Sequence, residues 1–251
     1  MLICGYGDTA AMNADDIHSQ PWRQTQGVQV QGTQDALAAA FHGTPSRRLD
    51  AKEHVFCEGD TAKHIYRVEG GLICIYRMMP AGRRQVVDFA FPGDIVGLGA
   101  TREHSTSAQA IRPTRLRYLP SSTLSELMLC DARLSVRVYE TMAEELRAAR
   151  ELLLSVCQRS AAERLAAFLL ALVRRNERKG LDTETLDLAM TRTDIADFLG
   201  LTIETVSRTF TKFRTSGLID IAQCTAIAIV DYDGLQALAA GNGSPCASTL
   251  D

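Results

Sequence analysis

The stretch Met190–Ser216, MTRTDIADFLGLTIETVSRTFTKFRTS, decides how this chain is read. Ile195, Ala196, Phe198 and Leu199 recur at helical spacing and give a first short helix an apolar face. Thr193 is its expected N-cap, and Asp194 puts negative charge in the first turn, where the helix dipole favours it. Gly200 ends that helix, because glycine tolerates the left-handed conformation of a helix stop. Thr202 is expected to cap a second helix, and Gly217 to close it after Ser216. Val206, Phe210 and Phe213 form one buried stripe on that second helix. Glu204, Ser207, Arg208 and Lys212 are left outside it. Two helices with a tight turn, the second polar near its start, are the layout of a helix-turn-helix that reads DNA.

The polar side chains suit a major groove. Arg208 can donate two parallel hydrogen bonds to guanine O6 and N7, and Glu204 can accept from a cytosine N4 amine. Ser207 can reach a base edge or a phosphate. A carboxylate that faces a polyanion needs a reason, and base reading supplies one. Isolated from the two helices and the glycine turn, the same residues would read as a solvated helix face.

The segment DIADFLGLTIETVSRTFTKF resembles the recognition region of the CRP/FNR superfamily, and within it the FNR/FixK branch. Ala161–Phe168, AAERLAAF, is similar to that branch as well. The resemblance implies that Glu204, Ser207 and Arg208 read a TTGA half-site. The CRP branch has an arginine just before the glutamate, where this chain has Ile203, so CRP-type operator preference is not expected. Thr191, Arg192, Thr202, Thr205 and Lys212 are expected to touch the DNA backbone or to support the reading residues.

Upstream, residues 45–121 carry short apolar runs, His64–Val68, Leu72–Tyr76, Gln85–Phe91 and Arg115–Leu119. Turn signals separate them at Glu58-Gly59-Asp60, Gly70-Gly71, Pro80-Ala81-Gly82 and Pro92-Gly93-Asp94. This spacing predicts an antiparallel β-roll of jelly-roll type, and the family resemblance implies a sensor domain there. Residues 1–44 are glutamine-rich, with one helical candidate at Gln34–Phe41. The expected fold class is therefore α+β: an N-terminal extension, the β-roll, a long helix, and a winged helix-turn-helix over residues 159–240. Leu218–Ile221 and Ala226–Val230 are the expected wing strands, and residues 241–251 read as a disordered tail.

Residues 122–158 contain almost no helix breakers. Leu124, Leu127, Leu134, Val138, Met142, Leu146, Ala149, Leu153 and Val156 recur mostly every three or four positions. That predicts one long helix with an apolar seam, which can pair with a second copy or pack on its own domain. Its place between sensor and helix-turn-helix favours a homodimer, with Leu127, Leu134, Val138, Met142, Leu146 and Leu153 as the seam. Such a dimer would set two recognition helices roughly one DNA turn apart on a palindromic site.

Overall charge gives DNA binding no support. The chain carries a net charge of −3, and residues 159–240 hold 10 basic and 11 acidic side chains. The bases cluster locally, as Arg174, Arg175, Arg178 and Lys179, and as Arg208, Lys212 and Arg214. The second cluster lies where phosphates are expected, so binding should weaken as salt rises.

CRP-like members hold cyclic AMP with a Gly-Glu pair and a later Arg-Ser pair. This chain has Leu98 in place of the glutamate and Thr106 in place of the arginine, with Arg102 nearby. A buried phosphate without a cation is strongly unfavourable, so no cyclic nucleotide is expected to bind. FNR-type iron–sulfur clusters need four thiolates, three of them close together near the N-terminus. The seven cysteines here, Cys4, Cys57, Cys74, Cys130, Cys157, Cys224 and Cys246, are scattered, so no cluster is expected. Cys74 and Cys157 read as small core residues. Cys224, in the wing turn, is a candidate redox switch, because oxidation there would add bulk and charge beside DNA. The five histidines, His18, His42, His54, His64 and His104, belong to no haem-attachment motif. No cofactor or metal is expected.

There is no phosphate-binding loop, nucleophile elbow or zincin motif, so an enzyme is not expected. No run is long enough to cross a membrane, and Met1–Tyr6 lacks the basic start of a secretory signal. The scattered cysteines fit a reducing cytoplasm. Two readings remain. One is a dimeric regulator that binds double-stranded DNA and contacts RNA polymerase; the resemblance makes it an activator in low-oxygen or nitrogen-fixation-related control. The other is a ligand- or redox-gated sensor whose β-roll or cysteine switches the DNA-binding head.

Overall fold

The computed structural model describes residues 33–80, 82–99, 102–221 and 225–241. The first part of the chain forms α1 (Thr33–Ala40), β1 (Ser46–Leu49), β2 (His54–Phe56), β3 (His64–Met78), β4 (Arg84–Ala90), β5 (Ile95–Val96) and β6 (Ser107–Pro120). Next come α2 (Ser121–Cys130), α3 (Ala132–Gln158) and α4 (Ala161–Lys179). The last part holds β7 (Thr185–Asp187), α5 (Arg192–Leu199), α6 (Ile203–Thr215), β8 (Ile219–Ile221), β9 (Ala226–Ile229) and α7 (Tyr232–Ala239).

The β-roll is one antiparallel sheet in the order β1-β6-β3-β4, with β2 added to β6 and β5 to β3. Its interior is Leu49, Val55, Phe56, Val68, Ile73, Ala90, Val96, Ala108, Ala110 and Leu116. One sequence expectation fails here. Gly70-Gly71 is not a turn between two strands; β3 runs straight through it, paired with β6 on both sides, with register shifts between Val68 and Leu72. Gly71 has φ +95°, and a Cβ there would lie 2.6 Å from the Pro113 carbonyl oxygen. The glycines therefore make a β-bulge at a close backbone approach, which a sequence pattern cannot tell from a turn. The Thr114 hydroxyl completes the bulge, accepting from the Leu72 N–H at 3.2 Å and donating to the Arg112 carbonyl at 2.7 Å.

The single long helix expected over residues 122–158 is also corrected. Asp131, at φ −124° and ψ 105°, separates α2 from α3. Its carboxylate accepts from the Arg133 N–H at 2.9 Å, so it caps a new helix where continuation was open to it. The break divides the predicted seam. Leu127 stands on α2, apart from the rest. Leu134 and Val138 are buried inside their own chain, in a cluster with Leu37 of α1, Phe41 just after it, Ile65, Ile95, Leu119 and Leu124. Met142, Leu146 and Leu153 are instead 45%, 52% and 64% exposed. Cys157 is exposed too, contrary to its reading as a core residue, while Cys74 is buried as expected.

A third cluster joins the two halves of the molecule. Leu72, Cys74, Val86 and Phe89 of the β-roll pack with Leu165, Phe168 and Leu169 of α4, Ile195 and Leu199 of α5, and Val206, Phe210 and Phe213 of α6. Phe198 of α5 sits 5.3 Å from Phe89 and 5.6 Å from Phe168, ring centre to ring centre. Burial of this apolar surface at roughly 25 cal/mol per Å² holds the C-terminal helices on the β-roll.

On α3, partial burial and then the charges of Asp88 and Asp94 push Glu145 up to about 7. The folded chain thus holds this proton more tightly than the unfolded chain. Its contribution to stability is full below the ordinary glutamate range and is lost as pH rises through about 7. The residue as a whole is exposed on α3, so water screens it and the effect on stability is small. Urea midpoints between pH 5 and 8 should fall less steeply in Glu145→Gln than in the parent, and parallel curves would count against this origin.

Candidate nucleic-acid interface

Each helix of the motif starts and stops on its own residues. The cap of α5 is Thr191, not Thr193: the Thr191 hydroxyl accepts from the Asp194 N–H at 3.1 Å, and the Asp194 carboxylate accepts from the Thr191 N–H at 2.9 Å. This reciprocal capping box needs an acid three residues after the cap, and Asp194 stands at that distance from Thr191 alone. Gly200 ends α5 at φ +65°. A side chain there costs about 1–2 kcal/mol, so Gly200→Ala should unfold at a lower temperature in a thermal melt. An unchanged melt would mean that the turn relaxes. Thr202 caps α6, its hydroxyl accepting from the Thr205 N–H at 3.2 Å.

Along α6, Val206, Phe210 and Phe213 face the core as predicted, joined by Thr209, whose hydroxyl donates to the Thr205 carbonyl at 2.7 Å. Glu204, Ser207, Arg208 and Lys212 are all exposed. Positions 204, 207 and 208 differ by three and four residues and so share one helix face. Hydrogen bonds from its own backbone N–H and the Thr202 hydroxyl, then the nearby Arg208 charge, hold Glu204 below the usual carboxylate range. The face therefore presents an ionised acceptor next to a guanidinium fork, two groups that can address different base edges. Arg192 does not extend freely: its guanidinium lies 3.4 Å from the Phe210 ring centre and braces α5 against α6. Thr191 and Thr202 are exposed, and Thr205 is half-buried.

The wing has three strands, β7-β9-β8, where two were expected. β7 is only three residues, Thr185–Asp187, with one buried side chain, too short to show alternation. Cys224 lies outside the described residues.

Sequence reasoning missed the groups that tie this head to the rest of the molecule. Arg84 of β4 pairs with both Asp194 and Asp197 of α5, positions more than a hundred residues away in the chain. Arg112 pairs with Asp187 at 2.7 Å, and Arg175 with Asp94 at 2.9 Å. Arg164 donates to the carbonyls of Val156, Arg159 and Leu199, closing the junction of α3, α4 and α5. No local pattern announces such contacts, because each joins residues that are far apart in the sequence or lie in different elements.

In the β-roll, Leu98 packs on the apolar cluster beneath α1, and Arg102 is exposed. His104 is stacked on Phe56 at 3.5 Å, and burial lowers its pKa. The His54 ring meets the Tyr76 hydroxyl at 2.8 Å. Among the described residues no group of three histidine, cysteine, aspartate or glutamate side chains is placed to hold a metal ion. No described helix is long and apolar enough to cross a membrane.

Two family models match the chain: a Crp-like helix-turn-helix domain over residues 163–238 and a cyclic nucleotide-binding domain over residues 46–130. The nitrogen fixation regulation protein FixK of Bradyrhizobium diazoefficiens is 39% identical over 188 residues, 75% of this chain and 79% of that protein. FixK of Azorhizobium caulinodans is 34% identical over 228 residues, 90% of this chain and 92% of its own length. The solved structure of FixK2 from Bradyrhizobium japonicum superposes with a TM-score of 0.74 at 31% identity, covering 78% of this chain and 96% of that one. With the helix-turn-helix built as described, these likenesses show that the chain belongs to the CRP/FNR family of transcription regulators, in its FixK/FNR branch.

Proposed function

We propose that two copies of this chain bind a palindromic TTGA-type site in double-stranded DNA and activate transcription through RNA polymerase. The setting is low-oxygen or nitrogen-fixation-related gene control in the cytoplasm; the relatives named as nitrogen fixation regulation proteins and as an anaerobic regulatory protein support the gene-control part. The observation that carries the reading is the exposed face of α6, where ionised Glu204, Ser207 and Arg208 stand together on a helix fixed from behind by Val206, Phe210 and Phe213. Thr191, Arg192, Thr202, Thr205 and Lys212 surround that face as phosphate contacts or supports.

Selection of bound sequences from a random DNA pool, with nothing else added, tests this reading. Recovery of paired TTGA half-sites at one spacing supports it; recovery of no preferred sequence defeats it. The cyclic nucleotide-binding-type domain keeps a second reading in view, a gated sensor. Strong selection without any additive counts against obligatory gating, because a gated head needs a ligand with unequal affinity for its two poses. Salt supplies a further check. Log affinity should fall linearly with log salt, and Lys212→Ala should reduce that slope by about 1 while leaving the selected sequence unchanged. A changed base preference would make Lys212 a reading residue.

A further inference from the structure

We propose that Arg84, on the β-roll, is a positioning residue for DNA reading: it fixes the pose in which α6 is presented. The inference rests on the function proposed above. Arg84 stands at the start of β4, and its Nε donates to the Asp197 carboxylate at 3.1 Å while its terminal nitrogen pairs with Asp194. The neighbouring Gln85 amide donates to the Asp197 backbone carbonyl. All three contacts fall on α5, the first helix of the motif. The Arg84, Asp194 and Asp197 side chains are 26%, 9% and 21% exposed, so water competes weakly for them.

The geometry does what an apolar contact cannot. Phe89, Phe168 and Phe198 hold α5 near the β-roll, but packed rings permit sliding and rotation. A planar guanidinium that engages carboxylates three positions apart fixes the rotation of the helix about its own axis. Asp194 has two tasks: one oxygen closes the Thr191 capping box, and the other takes Arg84. The carboxylate that starts the helix is thus the one the β-roll grips. Gly200, the Thr202 cap and Arg192 on Phe210 then carry that pose to α6.

The gripped pose is the reading pose. Glu204, Ser207, Arg208 and Lys212 all point to solvent in it, and the β-roll covers none of them. In a palindrome-bound dimer, the distance between two α6 helices depends on how each head sits on its own β-roll. Loss of the Arg84 fork should therefore blur the half-site spacing and leave the half-site sequence unchanged.

The test measures full-length parent, Arg84→Ala, Arg84→Lys and Asp197→Ala on operators with identical half-sites and a spacer altered by one base pair either way. The parent should prefer one spacer. Arg84→Ala and Asp197→Ala should lose roughly tenfold on that spacer and lose most of the discrimination between spacers. Arg84→Lys, which keeps the charge without the fork, should fall between them and the parent. Base preference within each half-site should be retained. Equal loss on every spacer, or none, overturns the proposal and leaves Arg84 a structural ion pair. If Arg84→Ala fails to fold, Arg84→Lys and Asp197→Ala decide by the same criterion. A parent that selects no paired half-sites overturns the underlying reading of the site, which is a separate result.

Discussion

Leu146→Asp is expected to lower affinity for a palindromic operator by about 10²–10⁴-fold, because it turns one two-site binding event into two single ones. Leu146 is 52% exposed on α3, between Met142 and Leu153, which are 45% and 64% exposed. Three large apolar side chains at helical spacing, about half exposed among the described residues, are the surface a second copy would bury. A carboxylate placed there would meet its own image across a two-fold axis in a drying interface. Sedimentation at micromolar concentration should show a monomer that keeps the parent's far-UV circular dichroism. A Leu146→Asp protein that remains dimeric would place the pairing face elsewhere. Val138 does not serve for this test, although it belongs to the same sequence pattern. It is 4% exposed and packs beneath α1, so a charge there would unfold the domain and abolish binding for the wrong reason.

Arg208→Ala should weaken operator binding by about 1–3 kcal/mol and relax preference at one base pair only. The side chain is exposed on α6 and supports nothing in the core, so thermal stability should stay where it was. Binding to operators that vary at each half-site position separates the outcomes. Loss confined to one position identifies a bidentate guanine contact. Equal loss on all sequences would reduce Arg208 to a phosphate contact. Arg208→Lys should behave like the alanine variant in specificity, since an ammonium lacks the planar fork.

The helix-turn-helix was legible because its signals are local. Gly200, Thr202 and the Val206–Phe210–Phe213 stripe each act within one or two helical turns. Even there the cap was misplaced by two residues, because Thr191 and Thr193 differ only in which of them Asp194 can answer. The β-roll was legible as a class and blurred in detail. β1 and β2 were missed, since Ser46-Arg47-Arg48 is exposed on all three residues and β2 is only His54–Phe56. The Gly70-Gly71 bulge looked like a turn because the residue that demands it, Pro113, is distant in sequence.

The α3 seam shows where periodicity stops being informative. An apolar repeat states that a helix face must be covered and does not state by what. For Leu134 and Val138 the cover is α1 and the β-roll edge. Met142, Leu146 and Leu153 stay exposed among the described residues.

What the amino-acid order settled alone, then, is the exposed face of α6: which side chains it shows, and that two helices and a glycine turn display them. Those features follow from dihedral preference and hydrophobic period, which act over a few residues. The tertiary structure alone decided how that face is held, through Arg84 on Asp194 and Asp197 and through an aromatic core shared by β4, α4 and α5. Ion pairs and packing join residues by distance in space, and distance in space is what a linear pattern leaves out.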